Sequence, residues 1–297
     1  MNKEKKMLLF SLLLILALLA SFFQGVRQEK TTSALSVAPQ VLILDIIGTL
    51  SFASARPILD TLEKTLENPQ IKGVLLNINS PGGTVGSSQE IYRILIKLKE
   101  KGVLIVSTIG DMAASGGYYV ASASHYIFSN PGSITGSIGV IIPGMNFSEL
   151  LKKLGIQSAA IKSGKNKDAL SPLKPLEKEE MAYMQTLVMN VYEQFIQDIL
   201  ASRKDKITEE ELRKIADGRV LTGEQALQLK LVDGLGGMLE AKNYMKETLQ
   251  APSLHFVSPK KSLLDDVLKE VLKNQNDIFL LDDLQFPLIY SYRREIK

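Results

Sequence analysis

Three short apolar runs constrain the fold most: VLILDII at Val41–Ile47, GVLLNIN at Gly73–Asn79 and VLIVSTI at Val103–Ile109. Each is continuous rather than alternating, which is the pattern of strands buried on both faces. Amphipathic segments separate them. Ile58, Leu59, Leu62 and Leu66 recur at helical spacing after the first run, and Ser87–Lys101 follows the second. Strands buried on both faces need helices to cover them, so the alternation predicts an α/β domain with crossover connections. The later half reads as more helical. Met181, Met184, Leu187, Val188, Val191 and Phe195 fall on one stripe within Leu176–Arg203 and are expected to fill the core. Thr208 followed by Glu211 reads as a capping box opening the next helix.

Three glycine-bearing turns follow this alternation. In NINSPGGTV, Asn77–Val85, Pro81 fixes φ while Gly82 and Gly83 permit a conformation that bares backbone N–H groups. DMAASGGYYVA, Asp111–Ala121, sets Ser115 between alanines and glycines directly before an apolar run, and SITGSIG spans Ser133–Gly139. Bared amides beside a serine are what acyl transfer requires, because its tetrahedral intermediate develops an oxyanion. The donors expected for it are the N–H of Gly83 and that of Gly116, just after the serine. The same glycines would also suit plain strand-to-helix turns. A phosphate-binding loop is disfavoured, since no Gly-Lys-Ser/Thr ending follows.

A serine nucleophile needs a base. The chain has no cysteine and only two histidines, His125 and His255. His125 lies ten residues beyond Ser115 on the same expected helical segment, roughly 15 Å along the axis. His255 falls outside the clear α/β pattern, so both histidines read as structural or surface residues. The stretch IKSGKNKDALSP, Ile161–Pro172, offers Lys162, Lys165 and Lys167 instead. A lysine acts as base only where burial or neighbouring positive charge lowers its pKa. Composition does not say which of the three is so placed, and Asp168 would oppose the shift if it faced the amine.

At the N-terminus, Lys3, Lys5 and Lys6 precede the uncharged run Met7–Phe23. At about 1.5 Å per residue this run spans roughly 25 Å, and Gln24–Val26 extend it toward the hydrocarbon thickness of about 30 Å. An uncleaved anchor over 7–26 is expected, with residues 1–6 in the cytoplasm and the remainder outside. A cleaved signal peptide is the rival reading. Residues 27–40 suit a linker, 41–250 a folded domain, and 251–297 a tail with an amphipathic stretch at Leu263–Leu272. A net charge of +3 over 297 residues gives no basic stripe for nucleic acid.

The segments NSPGG, AASGGYYVA, GSITGSIGV, SGKNKDALSP and GRVLTGEQALQLKLVDGLGG occur in this order over Val41–Leu249. Together they resemble the single-length, membrane-anchored form of the bacterial signal peptide peptidase SppA family. The resemblance implies a Clp/crotonase-like fold of repeated ββα units behind an N-terminal transmembrane helix. It also implies a Ser-Lys serine endopeptidase in the cell membrane, its catalytic domain on the extracytoplasmic side. By the same resemblance Ser115 is the nucleophile, Lys167 the general base and Ser137 the residue that orients the lysine, with Gly83 and Gly116 as oxyanion donors. No metal or organic cofactor is implied. The partners the resemblance implies are signal peptides, the membrane through 7–26, and further copies of the chain in a ring, of which an octamer is the expected form. One departure is that LKPL follows Ser171–Pro172, where the family pattern would place an arginine nearby. Alternative readings are a related Ser-Lys protease with one membrane-protein substrate, a crotonase-type acyl-CoA enzyme, and a catalytically silent membrane scaffold.

Overall fold

The computed structural model describes residues 39–259. The expected membrane anchor and nearly all of the linker lie outside the described residues, as does the tail beyond residue 259. Among the described residues no helix is long and apolar enough to cross a membrane.

The chain runs β1 (Gln40–Ile47), α1 (Phe52–Glu67), β2 (Ile71–Ser80), α2 (Val85–Glu100), β3 (Leu104–Ala114), α3 (Gly116–Ser122), β4 (Tyr126–Ser129) and β5 (Ile134–Gly136). After an irregular segment come α4 (Ser148–Lys153), a 3₁₀ turn at Lys165–Asp168 and the long α5 (Lys178–Arg203). Then follow α6 (Glu209–Ile215), β6 (Val220–Thr222), α7 (Gly223–Gln228), β7 (Gly234–Leu235), α8 (Met238–Thr248) and β8 (His255–Val257). One mixed sheet holds the strands in the order β6-β5-β3-β2-β1-β8, with β4 pairing β3 and β7. All its pairings are parallel except that of β5 with β6. Parallel neighbours require a crossover, which α1 and α2 supply. Ser51 opens α1 and Thr208 opens α6, each with a complete capping box.

The apolar runs divide their side chains between two layers. Leu76, Ile78 and Ile105 pack with Leu62, Leu95 and Tyr118 of the helices on one face. Leu75, Leu104 and Val106 pack with Ala241 and Met245 of α8 on the other. Adjacent residues of a strand point to opposite faces, so a continuous apolar run supplies both layers.

β3 extends to Ala114, beyond the apolar run that ends at Ile109, and this places the site. Its middle, Val106–Ile109, pairs with β4, and its end, Met112–Ala114, pairs with β5. The turn at Ser133–Gly139 therefore contains a short strand. The stripe on α5 departs from expectation. Phe195, Ile196 and Ile199 are buried, but Met181, Tyr183, Leu187 and Met189 are exposed. Only the second half of that helix rests on the sheet layer, so its methionines do not fill the core.

Both histidines lie away from Ser115. His125 accepts the N–H of Ile105 on Nδ1 at 3.0 Å, in the turn after α3. His255 is exposed and belongs to the sheet after all, pairing with Gln40 on β1. Arg203, at the end of α5, is 1 % exposed and bonds Asp233, which also accepts from Lys206 and from the N–H of Ile127. Burial alone would raise the Asp233 carboxyl, but Arg203 and Lys206 outweigh it and hold it below the ordinary carboxylate value.

Candidate active site

Ser115 occupies the single residue between β3 and α3, with φ 51° and ψ −119°. That region is sparsely populated by side-chain-bearing residues, and backbone strain of this kind collects at functional sites. Surrounding bonds hold it there. The Ser115 N–H donates to Gly136 O at 2.9 Å, and its C=O accepts the Tyr119 N–H. Helix α3 is itself anchored by its two tyrosines. The buried Tyr118 hydroxyl donates to Leu231 O at 2.9 Å, and Tyr119 donates to the Asp198 carboxylate.

The glycine loop after β2 is built by exclusion. Ser80, fully buried, accepts the Gly82 N–H on Oγ across Pro81 and donates to Gly48 O. Leu50 then takes its neighbours: its N–H donates to Gly82 O and its C=O accepts the Thr84 N–H. Every amide from Gly82 to Thr84 is thereby used except that of Gly83. On the facing turn the Ser115 N–H is used, and the Gly116 N–H, first in its helix, has no intrahelical acceptor. Neither Gly83 N–H nor Gly116 N–H has a partner among the described residues.

The two free amides are neighbours. A Cβ built on Gly116 would stand 3.3 Å from Gly83 N, and one built on Gly82 would stand 2.6 Å from Gly116 N and 3.0 Å from Ser115 Cβ. A Cβ on Gly83 would collide with the Leu50 carbonyl, and one on Gly116 with Ser88 Oγ. Glycine is thus required by close approach of backbone to backbone. The arrangement places a strained serine beside two bare N–H donors, the constellation of an oxyanion hole with its nucleophile.

Ser137 joins this group through the backbone. Gly136 pairs with Ala114 and accepts from Ser115 N–H, so the next residue, Ser137, stands beside the nucleophile turn. It too has positive φ, 52°, and its N–H donates to Arg219 O at 2.7 Å. Lys167 is placed differently. It lies exposed in the 3₁₀ turn, and no hydrogen bond joins it to Ser115 or Ser137 among the described residues. Asp168 makes no bond to it among the described residues, and its Oδ1 accepts Lys162 at 2.6 Å and Lys174 at 3.2 Å. An apolar cleft of about 430 Å³ opens on the same segment, lined by Ile142, Met145, Phe147, Leu170 and Pro172 among others.

The structure brings Ser115, Gly83 and Gly116 together, sets Ser137 beside them through the backbone, and leaves Lys167 apart. Gly82, read in the sequence as one of two permissive glycines, also keeps the Gly116 amide open by its missing Cβ, and sequence reasoning missed Ser80 and Leu50, which use up the competing amides. The NSPGG run held a signal for Ser80, since a serine two residues before a glycine can accept its N–H. Nothing local marked Leu50.

The chain matches the model of peptidase family S49 over residues 97–251 and that of Clp protease over residues 26–133. It is 39 % identical over 232 residues to a protein of Synechocystis sp. named "Putative protease", covering 78 % of this chain and 80 % of that protein. It is 40 % identical over 189 residues to the "Putative signal peptide peptidase SppA" of Enterococcus faecium, covering 64 % of this chain and 54 % of that one. Against "Protease 4" of Salmonella typhi the identity is 33 % over 203 residues, covering 68 % of this chain and 32 % of that one. The matched region thus spans four-fifths of the first relative, about half of the second and a third of the third.

Proposed function

The chain belongs to peptidase family S49, and from that premise we propose that it is a serine endopeptidase with Ser115 as nucleophile and Lys167 as general base. The observation that carries this reading is the pair of unpartnered amides, Gly83 and Gly116, beside a serine held at φ 51°. Ser115 Oγ attacks the scissile carbonyl while its proton passes to the Lys167 amine. The oxyanion takes the two N–H donors. The lysine proton then goes to the leaving amine, and an acyl-enzyme on Ser115 is hydrolysed by a water that the lysine activates. Ser137, adjoining the turn, accepts from the lysine and orients it.

A lysine works as base only when withdrawn from water. In a single copy Lys167 is exposed, and the segment carrying it also exposes Leu150, Leu154, Ile156 and Ile161. Apolar surface on that scale is covered in the working enzyme. We therefore read the active form as a homo-oligomer whose contacts bury this segment and complete the pair. The anchor at 7–26 would hold it in the cell membrane with the catalytic domain on the extracytoplasmic side. Substrates there are extended, apolar peptides, and the relative named as a signal peptide peptidase supports spent signal peptides as their class.

Cleavage of a synthetic signal peptide by the full chain in detergent, read by mass spectrometry, tests the assignment of the base. Lys167→Ala is expected to cut about 10²–10⁴-fold more slowly, the usual contribution of a positioned base. A wild-type rate from that variant would remove Lys167 from the mechanism. A wild type that cuts an unrelated extended peptide but no signal peptide would keep the protease and discard the substrate class.

Gly82→Ala probes the oxyanion site by crowding it rather than by removing one of its groups. The new Cβ must displace backbone at Gly116 N, 2.6 Å away. A fall in kcat of about 10²–10³ is expected, the loss typical of one oxyanion donor. An unchanged kcat in a folded variant would show that the Gly116 amide is not used.

A further inference from the structure

The segment that carries Lys167 holds four lysines between Lys162 and Lys174, and three of them are committed to carboxylates. Lys162 bonds Asp168, Lys165 bonds Glu179, and Lys174 bonds both Asp168 and Glu180. Lys167 bonds none among the described residues. We infer that Lys174 is a positioning residue for Lys167, binding Asp168 and Glu180 so that the base reaches Ser115 without a carboxylate of its own. The inference rests on the Ser115–Lys167 reading and deepens it.

Two properties single out Lys174. It spans the segment, tying Asp168, next to the base, to the first turn of α5 at Glu180. It is also the ion partner of a carboxylate that is only 1 % exposed, and Glu180 Oε2 is the buried side-chain polar atom left without a hydrogen bond among the described residues. A buried carboxylate needs a fixed cation, so Glu180 holds Lys174 in place as firmly as Lys174 holds the loop. The ionisable groups facing this turn are Lys162, Lys165, Asp168, Lys174, Glu177, Glu179 and Glu180. Lys162, with Lys174, holds the Asp168 carboxyl below its ordinary value, so it is charged at neutral pH. Without Lys174 that carboxylate keeps Lys162 alone, at 2.6 Å, and has one cation fewer to hold it away from its neighbour. An opposite charge that close keeps a lysine protonated and unable to act as base. Lys174 stands in the LKPL stretch, where an arginine was expected, and it supplies the positive charge there.

The test is the pH dependence of kcat/KM for peptide cleavage by the full chain in detergent. Lys174→Met is expected to lose about tenfold at neutral pH and to recover at higher pH, its acid limb moved up by about one unit. Lys174→Arg should restore the wild-type profile. Because methionine strands Glu180, a second variant, Lys174→Met with Glu180→Gln, removes the buried charge and should melt near wild type with the same displaced limb. An unmoved acid limb in that folded double variant overturns the inference. So does failure of both variants to fold, which would make the role of Lys174 purely structural. Wild-type activity in Lys167→Ala would instead overturn the underlying dyad, a separate result.

Discussion

Replacing Ser115 with alanine is expected to lower peptide turnover by about 10⁴-fold or more while leaving the melting temperature within a few degrees of wild type. The two halves of that result have different causes. Ser115 Oγ makes no hydrogen bond among the described residues, and the side chain is half-buried, so truncation deletes one hydroxyl and opens no cavity. The turn is held by backbone bonds, Ser115 N–H to Gly136 O and Tyr119 N–H to Ser115 O, and alanine keeps both. Alanine at φ 51° is strained much as serine is, so the substitution gives no new backbone penalty. Turnover is lost because the Gly83 and Gly116 amides then stabilise an oxyanion that no covalent attack creates. The check is kcat beside a thermal melt, and turnover within tenfold of wild type would place the nucleophile elsewhere.

The largest effect on stability is expected at Asp233. Arg203 is 1 % exposed and Asp233 8 % exposed, and the guanidinium makes two bonds to the carboxylate, at 3.0 and 3.1 Å. Asp233→Ala leaves Arg203 with the Lys230 carbonyl alone and strands a buried charge. Breaking one side of such a pair costs about 3–5 kcal/mol. For a domain of this size that lowers the melting temperature by on the order of 10 °C. Replacing both partners by apolar residues, Arg203→Met with Asp233→Leu, should cost much less, because no uncompensated charge remains. The pH dependence has a defined sign. The folded carboxyl lies below its ordinary value, so its stabilisation is present above the unfolded pKa of about 3.9 and is lost as pH falls through the folded value. Denaturant midpoints for the three proteins at neutral pH check the ranking. A single variant as stable as the double would show that the pair contributes little.

The strands were legible because continuous apolar runs leave few alternatives. β1 and β2 contain the runs that predict them, and β3 contains all of its run but Val103. The far end of β3 was not legible, since Gly110 and Asp111 interrupt the apolar pattern, yet that end is where Ser115 sits. The turn at Ser115 and the glycine loop were legible as tight turns, because glycine and proline announce that backbone geometry. The stripe on α5 misled. Periodicity tells that one helix face is apolar, not what covers it, and Met181 and Leu187 stay exposed in a single copy. The lysine proposed as base was hidden for a related reason. Lysines look alike in sequence, and Lys167 differs from Lys162, Lys165 and Lys174 only in the carboxylates they bind. The Arg203–Asp233 bond was out of reach because it joins residues 30 apart that no local pattern connects.

The most direct measurement of the central claim is to treat the full chain, actively cleaving peptide in detergent, with a phosphonate that reacts with activated serines. The modified residue is then mapped by mass spectrometry. A single adduct on Ser115, formed in step with loss of activity and much more slowly in Lys167→Ala, is the predicted result. An inactivated protein with its adduct on another residue and Ser115 unmodified would contradict it.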